Sequence, residues 1–295
     1  MKLRSSVVLA LDSLLKYEVN QLIENSLSED LFSGDATTDI LFNNAVHGKA
    51  SILAKSDGVL CGSDVVSKVF ERIDSRLKIE WFLHDGDSFV GKDKVSVAEI
   101  SGSIASILKG ERTAINFLQH LSGISTQTKV YVDAISAYKT QILDTRKTIP
   151  GLRNLQKYAV KIGGGKNHRK NLSDGILIKD NHINVASKHG YGFDSIISKM
   201  KKNAPKDLKV EIEVSNIEEV VRALESDADI IMLDNMSSEE MKVAVEIIDS
   251  KALTEASGGI NLDNIVSVAQ TGVDFISIGA LTHSVSAIDF SLEMI

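Results

Sequence analysis

The second half of the chain repeats one pattern, a short apolar run followed by a longer amphipathic stretch. The apolar runs are QILDT, GILIK, KVEIEV, DIIMLDN, LTEASGG and DFISIGA, and the stretches between them include GLRNLQKYAVKI, NIEEVVRALES and SSEEMKVAVEIIDS. Strands that alternate with helices in this way form a parallel sheet. Unbroken repetition favours closure into a (β/α) barrel. An open doubly wound sheet is the alternative, although GGGKNH and SGGINLDN lack the G-x-G-x-x-G arrangement of a dinucleotide-binding fold.

The first hundred residues have a different pattern. Residues 11–27 show helical apolar spacing. The segments KASILAKSDGVLCG and KIEWFLHDGDSFVGKDKVSVAEISGS instead alternate apolar and polar residues around Asp-Gly and Gly-Asp turns, which predicts antiparallel hairpins. This part of the chain is therefore expected to be α+β.

Composition narrows the classes of function. A net charge of −7 over 295 residues argues against non-specific binding to nucleic acid or to an anionic membrane. The single cysteine, Cys61, allows no intramolecular disulfide and favours a reducing compartment. Lys2 and Arg4 precede the apolar run VVLAL, but this run makes a poor signal peptide and is too short to span a bilayer. We interpret it as the start of an amphipathic helix in a cytoplasmic protein.

Polar residues follow every predicted strand of the second half. They are Thr145-Arg146-Lys147, Lys179-Asp180-Asn181, Glu213, Asp234-Asn235, Ser257-Gly258-Gly259 and Gly279. Any one of them is compatible with a helix cap or a surface charge. In barrels of this kind, however, the chemistry lies at the carboxyl ends of the strands. Six polar strand ends in succession therefore predict an active site at that end.

The charges at these strand ends divide by sign. No acidic residue lies between Asp144 and Asp174, a stretch with many basic residues. Five cationic or imidazole side chains at strand ends or in loops are expected to converge on a polyanion: Arg146, Lys147, His168, Arg169 and Lys179. Later strands offer the carboxylates of Glu211, Glu213 and Asp234. Oxygen ligands of this type suit Mg²⁺, which keeps waters and substrate phosphates in its shell.

Two groups of glycines have different expected roles. Ser257-Gly258-Gly259 and Gly279-Ala280 fit a phosphate bound by backbone N–H groups at late barrel strands, although a bare SGG is also typical of a tight turn. Gly163 to Gly165 follow an amphipathic stretch and are first a helix stop. They do not form a G-x-x-x-x-G-K-[ST] phosphate loop.

Several motifs, in order along the chain, closely resemble the quinolinate phosphoribosyltransferase family, also called nicotinate-nucleotide pyrophosphorylase. They are EDLFSGDATTD, ERTAINFLQHLSGIST, ILDTRKTIPGLRNLQKYAVKIGGGKNHR, DGILIKDNHI, EIEVSNIEE, IIMLDNMS, EASGGI and GVDFISIGALTHS. The resemblance implies an α/β protein with an N-terminal α+β domain, here residues 1–112. An incomplete parallel α/β barrel of about six strands follows at 113–295, and the last ~15 residues are free to return to the first domain.

The resemblance also implies an activity. Such enzymes join quinolinate to phosphoribosyl pyrophosphate with Mg²⁺ and release pyrophosphate and carbon dioxide to give nicotinate mononucleotide, a precursor of NAD. They work as homo-oligomers, dimers or hexamers.

Position by position, the resemblance assigns roles to fourteen residues. Quinolinate's carboxylates would be held by Arg146, His168, Arg169 and Lys179, and Arg112 would reach a neighbouring subunit's site. Thr145 would bind substrate, and Lys147 beside it would lie near the pyrophosphate. Glu213 and Asp234 would act at the ribose and at the metal, directly or through water, and together with Lys147 would be the catalytic residues. The phosphate would rest on the backbone of Ser257, Gly258, Gly259, Gly279 and Ala280.

Other functions remain open at this stage. Lys179 at a strand end would also suit a Schiff-base aldolase, although that function leaves the Arg and His cluster without a role. The basic segment would suit a non-enzymatic polyanion-binding protein, but the acidic total disfavours it. A molybdenum-associated paralogue of the same family is the nearest alternative, and the wording LIKDNHI argues against it.

Overall fold

The computed structural model describes residues 13–42, 45–91 and 94–295. The predicted start of a helix around Lys2 and Arg4, and the first two residues of the helical segment 11–27, lie outside the described residues. The rest of that segment is confirmed as helical.

The elements follow the order expected for an α+β part and then an alternating part. The helices are α1 (Ser13–Asp30), α2 (Thr38–Leu41), α3 (Ser63–Ile73), α4 (Ile104–Ala134), α5 (Arg153–Ile162), α6 (Asp180–Lys188), α7 (Phe193–Asn203), α8 (Ile217–Glu225), α9 (Ser238–Ile248), α10 (Ile265–Gln270) and α11 (Ala280–His283). The strands are β1 (His47–Ala54), β2 (Gly58–Val59), β3 (Lys78–Trp81), β4 (Ser88–Phe89), β5 (Val95–Ser103), β6 (Gln141–Leu143), β7 (Ile176–Ile178), β8 (Val210–Val214), β9 (Ile230–Asp234), β10 (Leu253–Ser257), β11 (Phe275–Ser277) and β12 (Phe290–Met294).

The chain divides into two compact units. Unit 1 holds the residues up to Thr126 together with Pro150–Ile162 and Val285–Ile295, and unit 2 holds Gln127–Ile149 and Gly163–Ser284. This division differs from the predicted boundary between residues 112 and 113, which falls inside the continuous helix α4. The C-terminal segment Val285–Ile295 falls in unit 1, and the predicted domain assignment of the last ~15 residues stays a prediction.

Hydrogen bonds within unit 1 explain the later boundary. Ser122 and Thr126 on α4 accept hydrogen bonds from the backbone N–H groups of Cys61 (3.0 Å) and Val59 (2.9 Å). The α5 helix is held in the same unit, because the hydroxyl of Tyr158 donates to Asp85 at 2.8 Å. Polar contacts of this kind between distant segments are not visible in the periodicity of the sequence.

The main sheet of unit 1 has the strand order β12-β1-β5-β3 and is antiparallel throughout. The antiparallel pairing predicted within the second segment is confirmed for β3 with β5, whereas the hairpin predicted for the first segment is wrong in its pairing. β1 pairs with β12 and β5 instead of β2, while β2 pairs with β4 in a separate two-stranded sheet. Alternation identified the strands correctly, but the Asp-Gly turns connect strands that find partners elsewhere.

Unit 2 contains a six-stranded parallel sheet of order β6-β11-β10-β9-β8-β7. β6 and β7, which are consecutive along the chain, lie at opposite edges, so the sheet is open between them in the manner of an incomplete barrel. Fully buried aliphatic side chains such as Ile212, Ile231 and Ile276 form its core. The predicted fold class is confirmed.

Local signals explain where the helices of unit 2 begin. The Asn216 side chain accepts the N–H of Glu219 at the start of α8, and Ser237 with Glu240 forms a capping box at α9. Both caps satisfy N–H groups that the first turn of a helix leaves without partners. Each helix therefore starts directly after a strand end, which leaves those ends open to the site. Within the described ranges, no helix has both the length and the apolar character needed to cross a membrane.

Candidate active site

A cavity of about 620 Å³ lies at the carboxyl ends of the strands of unit 2. Most of the predicted site residues line it: Thr145, Arg146, Lys147, His168, Arg169, Lys179, Glu213, Asp234, Ser257, Gly258 and Gly259. Leu177, Met232, Glu255 and Ser277 also line it. Residues separated by more than a hundred positions in the sequence thus meet in one cavity, as their positions at strand ends predicted.

The basic segment reaches this cavity by running alongside an edge strand. Lys166 donates its N–H to the carbonyl of Ile142 (2.8 Å) and accepts the N–H of Asp144 (3.1 Å), so it extends the sheet next to β6. The buried carboxylate of Asp144 then accepts the N–H of His168 at 2.9 Å. These bonds fix the backbone from which His168 and Arg169 enter the site. Gly163 to Gly165 lie between the end of α5 and this edge, as expected for a helix stop.

Arg146 and Arg169 concentrate positive charge in the cavity. Burial lowers the pKa of the Arg169 guanidinium from its usual value, and the positive charge of Arg146 lowers it further. The Nε of Arg146 is buried and has no hydrogen-bond partner among the described residues. Two positive charges that are partly removed from water and lie near each other destabilise the empty cavity, through lost hydration and through mutual repulsion. An anion bound between them would offset both effects.

Lys147 lies at the edge of the cavity and contacts the turn before α11. Its N–H donates to the hydroxyl of Thr145 at 3.0 Å, and its carbonyl accepts the hydroxyl of Thr282 at 2.8 Å. A Cβ at Gly279 would lie 3.0 Å from Cδ of Lys147. Gly279 and Ala280 are the first residues of this turn and helix, and the absence of a side chain at Gly279 leaves room for the lysine.

The acidic part of the cavity comes from two neighbouring strands. Glu213 on β8 forms a hydrogen-bonded ion pair with Lys179 at the end of β7. Asp234, the last residue of β9, accepts the side-chain N–H of Asn235 at 2.9 Å. The two carboxylates therefore lie at the carboxyl ends of adjacent strands, where they can bind a cation or a sugar hydroxyl.

The turn after β10 requires glycine. Gly258 has φ +89°, and a Cβ at this position would overlap the Asn235 side chain. Asn235 itself has φ +55° and donates its N–H to the carbonyl of Ser257 at 2.9 Å. This close approach of two backbone segments leaves the SGG turn without side chains that would cover its N–H groups.

A buried cluster on the floor of the cavity was only partly predicted. His168 Nε2 lies 3.1 Å from Oε2 of Glu211 and 3.5 Å from Oε2 of Glu255. The sequence analysis named Glu211 among the candidate carboxylates, but it missed Glu255. The signal that would have found it is strand alternation, since Glu255 lies two residues before Ser257 on β10 and so has the same facing.

Glu255 is the most strongly perturbed acid of this cluster. Burial raises its pKa well above the usual range, and the charge of Glu211 raises it further. Its Oε1 has no hydrogen-bond partner among the described residues. These three side chains also form the one group in the described ranges whose spacing would suit a metal ion.

Arg112 does not belong to this site. It lies on α4 in unit 1 and lines a separate cavity of about 450 Å³ there, together with Glu29, Asp30 and His120. The sequence analysis assigned Arg112 to a neighbouring subunit's site instead of the site of its own chain. That assignment stays a prediction.

Comparison with known proteins supports the assignment from geometry. Residues 35–122 match the N-terminal domain of quinolinate phosphoribosyl transferase, and residues 124–293 match its C-terminal domain. The chain belongs to the quinolinate phosphoribosyl transferase family. The junction of these two matches falls in α4, close to the boundary between the two units.

Members of the quinolinate phosphoribosyl transferase family resemble the chain along nearly its whole length. A probable nicotinate-nucleotide pyrophosphorylase from Methanocaldococcus jannaschii is 42% identical and covers 96% of this chain and 99% of its own. A mitochondrial quinolinate phosphoribosyltransferase from Nicotiana glauca is 40% identical over 94% of this chain and 82% of its own. The structure of the nicotinate-nucleotide pyrophosphorylase from Francisella tularensis is 41% identical, with a TM-score of 0.88, over 95% of this chain and 96% of that one.

Proposed function

We propose that this chain transfers the phosphoribosyl group of phosphoribosyl pyrophosphate to quinolinate and decarboxylates the product to nicotinate mononucleotide. Full-length similarity to enzymes named for this reaction supports the proposal. The observation that carries it at the level of residues is the cavity itself, in which guanidinium groups, carboxylates and a glycine turn meet at the carboxyl ends of one sheet.

The cationic side chains suit the acceptor substrate. Quinolinate is a dianion, and planar guanidinium groups bind carboxylates through paired charge-assisted hydrogen bonds. Arg146 and Arg169 are the partly desolvated cations of the cavity, so we assign the two carboxylates of quinolinate to them. Lys179 joins them when it leaves Glu213. His168 was predicted to hold a carboxylate as well, but its Nε2 faces Glu211 and Glu255, so we assign no quinolinate contact to it.

The carboxylates of Glu213 and Asp234 suit Mg²⁺. Two oxygen donors are too few for a closed protein cage, but Mg²⁺ commonly takes one or two carboxylates and completes its shell with water and substrate phosphates. When bound, Mg²⁺ would neutralise charge on the departing pyrophosphate. We assign Glu213 and Asp234 as its ligands, directly or through water.

The protein's own groups would stabilise both partners of the bond that breaks. As pyrophosphate departs, positive charge develops on the ribose and negative charge grows on the leaving oxygen. The carboxylates of Glu213 and Asp234 would stabilise the positive charge on the ribose, and the ammonium group of Lys147 would stabilise the negative charge on the leaving oxygen. Backbone N–H groups at Ser257, Gly258, Gly259, Gly279 and Ala280 are assigned to the ribose phosphate.

Decarboxylation then needs little further help from side chains. Once the ring nitrogen carries the ribose, the cationic ring stabilises the electron pair that remains on the adjacent carbon when CO₂ departs. The site must hold the departing carboxylate in place until that point and must exclude other electrophiles. Arg146 and Arg169 serve the first purpose in this assignment.

The oligomeric state and the location belong to the same proposal. We assign Arg112 to the site of a second copy of the chain, because it lines a cavity in unit 1 that holds no other residue of the assigned site. A homo-oligomer, dimer or hexamer, follows from this assignment. A cytoplasmic location is proposed from the acidic composition and the single cysteine.

Product analysis tests the function. The purified chain should convert quinolinate, phosphoribosyl pyrophosphate and Mg²⁺ into nicotinate mononucleotide and pyrophosphate in equal amounts. Nicotinate, which lacks the second carboxylate, is the control acceptor and should give less than a hundredth of the rate. Equal rates with the two acceptors, or no nucleotide product, would refute the proposal.

A further inference from the structure

The floor of the cavity carries two carboxylates that the assigned chemistry does not use. Glu213, Met232 and Glu255 are register partners on β8, β9 and β10 and therefore face the same side of the sheet. Glu255 lies one side-chain repeat deeper than Ser257, and Glu211 lies one repeat deeper than Glu213. Both are almost fully buried, Glu255 at 1% exposure, yet Glu255 still lines the cavity.

His168 connects this pair through one N–H. Its Nδ1 accepts the backbone N–H of Arg169 at 2.8 Å, so Nδ1 carries no proton and the ring proton lies on Nε2. That Nε2–H faces Glu211 and Glu255. A metal ion at the trio would instead need the Nε2 lone pair and a protonated Nδ1, which the bond from Arg169 disfavours.

A single neutral N–H shared by two buried carboxylates cannot compensate two negative charges. Two buried carboxylates avoid the electrostatic repulsion between them when one of the two keeps its proton. Burial, the charge of Glu211 and the unpartnered Oε1 all identify Glu255 as the member that does so. The site therefore contains a neutral carboxylic acid on its floor.

The reaction assigned above requires an acid, and this inference rests on that proposed function. When CO₂ leaves, the electron pair of the broken C–C bond stays on the ring carbon next to the ribosylated nitrogen. That carbon must gain a proton before the product is nicotinate mononucleotide. Lys147, Glu213 and Asp234 have roles at the pyrophosphate, the ribose and the metal, so no side chain assigned so far delivers this proton.

We propose that Glu255 is the general acid that protonates this ring carbon. The O–H bond of Glu255 breaks as the C–H bond forms, and the electron pair of the O–H bond remains on the carboxylate. The new carboxylate is held by the Nε2–H of His168 and regains a proton from solvent when the product leaves. Glu211 Oε2, 3.1 Å from Nε2 of His168, keeps the His168 proton directed at the pair.

The groups that face Glu255 are Glu211 from β8, His168 from the loop after α5 and Ser277 from β11. Glu211 opposes ionisation of Glu255, while His168 and the hydroxyl of Ser277 favour it. The acid should therefore keep its proton at neutral pH and lose it at alkaline pH. Turnover should fall with pH as Glu255 ionises, and the Glu255→Gln variant should lack that alkaline fall.

Hydrogen exchange on the product tests the assignment directly. An enzyme that delivers a proton to the ring carbon also removes it in the reverse direction, so the wild type should exchange the hydrogen at C2 of nicotinate mononucleotide in D₂O. We expect NMR to show this exchange slowed on the order of 100-fold or more by Glu255→Gln. Glu255→Asp, which keeps an acid, should recover part of it, and Glu246→Gln on the exposed face of α9 should change nothing.

Single-turnover kinetics distinguish a general acid from a merely structural role for Glu255. If Glu255 is the acid, Glu255→Gln should form pyrophosphate within about threefold of the wild-type rate, while nicotinate mononucleotide appears at least 100-fold more slowly. Equal slowing of both products, or wild-type exchange in the Gln variant, would overturn the assignment. So would the absence of exchange in a wild type that makes the product. Failure of the wild type to make nicotinate mononucleotide would instead refute the proposed function.

Discussion

The Nε2 of His168 lies 3.1 Å from Oε2 of Glu211, on the floor of the cavity that the six parallel strands form. The other ring nitrogen of His168 accepts a backbone N–H, so the geometry fixes the Nε2–H tautomer. Nitrogen NMR of imidazole-labelled protein should show this tautomer at neutral pH. A proton on Nδ1 would contradict the hydrogen bonding described for this cluster. The His168 resonance can be assigned as the one that disappears in a His168→Gln variant.

Stability should depend on pH through Glu255. Its pKa in the folded state is raised above the ordinary 4.5, so the neutral acid contributes stability that is complete below the unfolded pKa and is lost as pH rises through the folded pKa. The Gln side chain does not ionise. The difference in melting temperature, Glu255→Gln minus wild type, should therefore increase as pH rises above about 4.5.

Exposed Glu246 on α9 supplies the comparison for that measurement, because Glu246→Gln makes the same substitution at a solvent-exposed position. A difference for Glu255→Gln that stays flat between acid and alkaline pH would show that the carboxyl is not perturbed in the folded protein.

Loss of either guanidinium should impair one substrate more than the other. Hydrogen bonds to charged groups contribute about 1.5–3 kcal/mol each, so Arg146→Ala or Arg169→Ala should raise the KM for quinolinate on the order of 10- to 100-fold. The KM for phosphoribosyl pyrophosphate should change much less. Arg222→Ala, which removes an exposed ion pair with Asp194, serves as the control. Equal losses for both substrates would contradict the assignment to quinolinate.

The glycine turn after β10 should not tolerate a side chain. Gly258 and Gly190 both have positive φ, +89° and +83°, but only at Gly258 would a Cβ overlap a neighbour. Gly190→Ala should cost about 1–2 kcal/mol of unfolding free energy from backbone strain alone. Gly258→Ala should cost more and should also raise the KM for phosphoribosyl pyrophosphate. Equal stability of the two variants in chemical denaturation would show that Asn235 gives way easily.

The sequence predicted most of unit 2 because its signals are local. Each of the six strands is a short apolar run, and each polar residue at a strand end follows from the position of that run. Asp234 and Ser257 could be assigned to one cavity because the carboxyl ends of parallel strands lie at the same edge. The resemblance to a known family then added roles that the pattern alone left open.

The features that the sequence did not predict depend on contacts between distant segments. The pairing of β1 with β12 and the membership of α5 in unit 1 are fixed by hydrogen bonds that no periodicity reveals. Glu255 was missed because strand alternation was not applied to β10, where it gives Glu255 the same facing as Ser257. Its importance comes only from burial beside Glu211 and His168, which is a property of the folded chain.

The central claim concerns decarboxylating transfer, and the release of CO₂ tests it most directly. Quinolinate labelled in the carboxylate next to the ring nitrogen should give labelled CO₂ only when phosphoribosyl pyrophosphate and Mg²⁺ are both present. The amount of CO₂ should equal that of pyrophosphate, and a chelator should stop both. Labelled CO₂ without phosphoribosyl pyrophosphate, or no CO₂ in the complete mixture, would contradict the account.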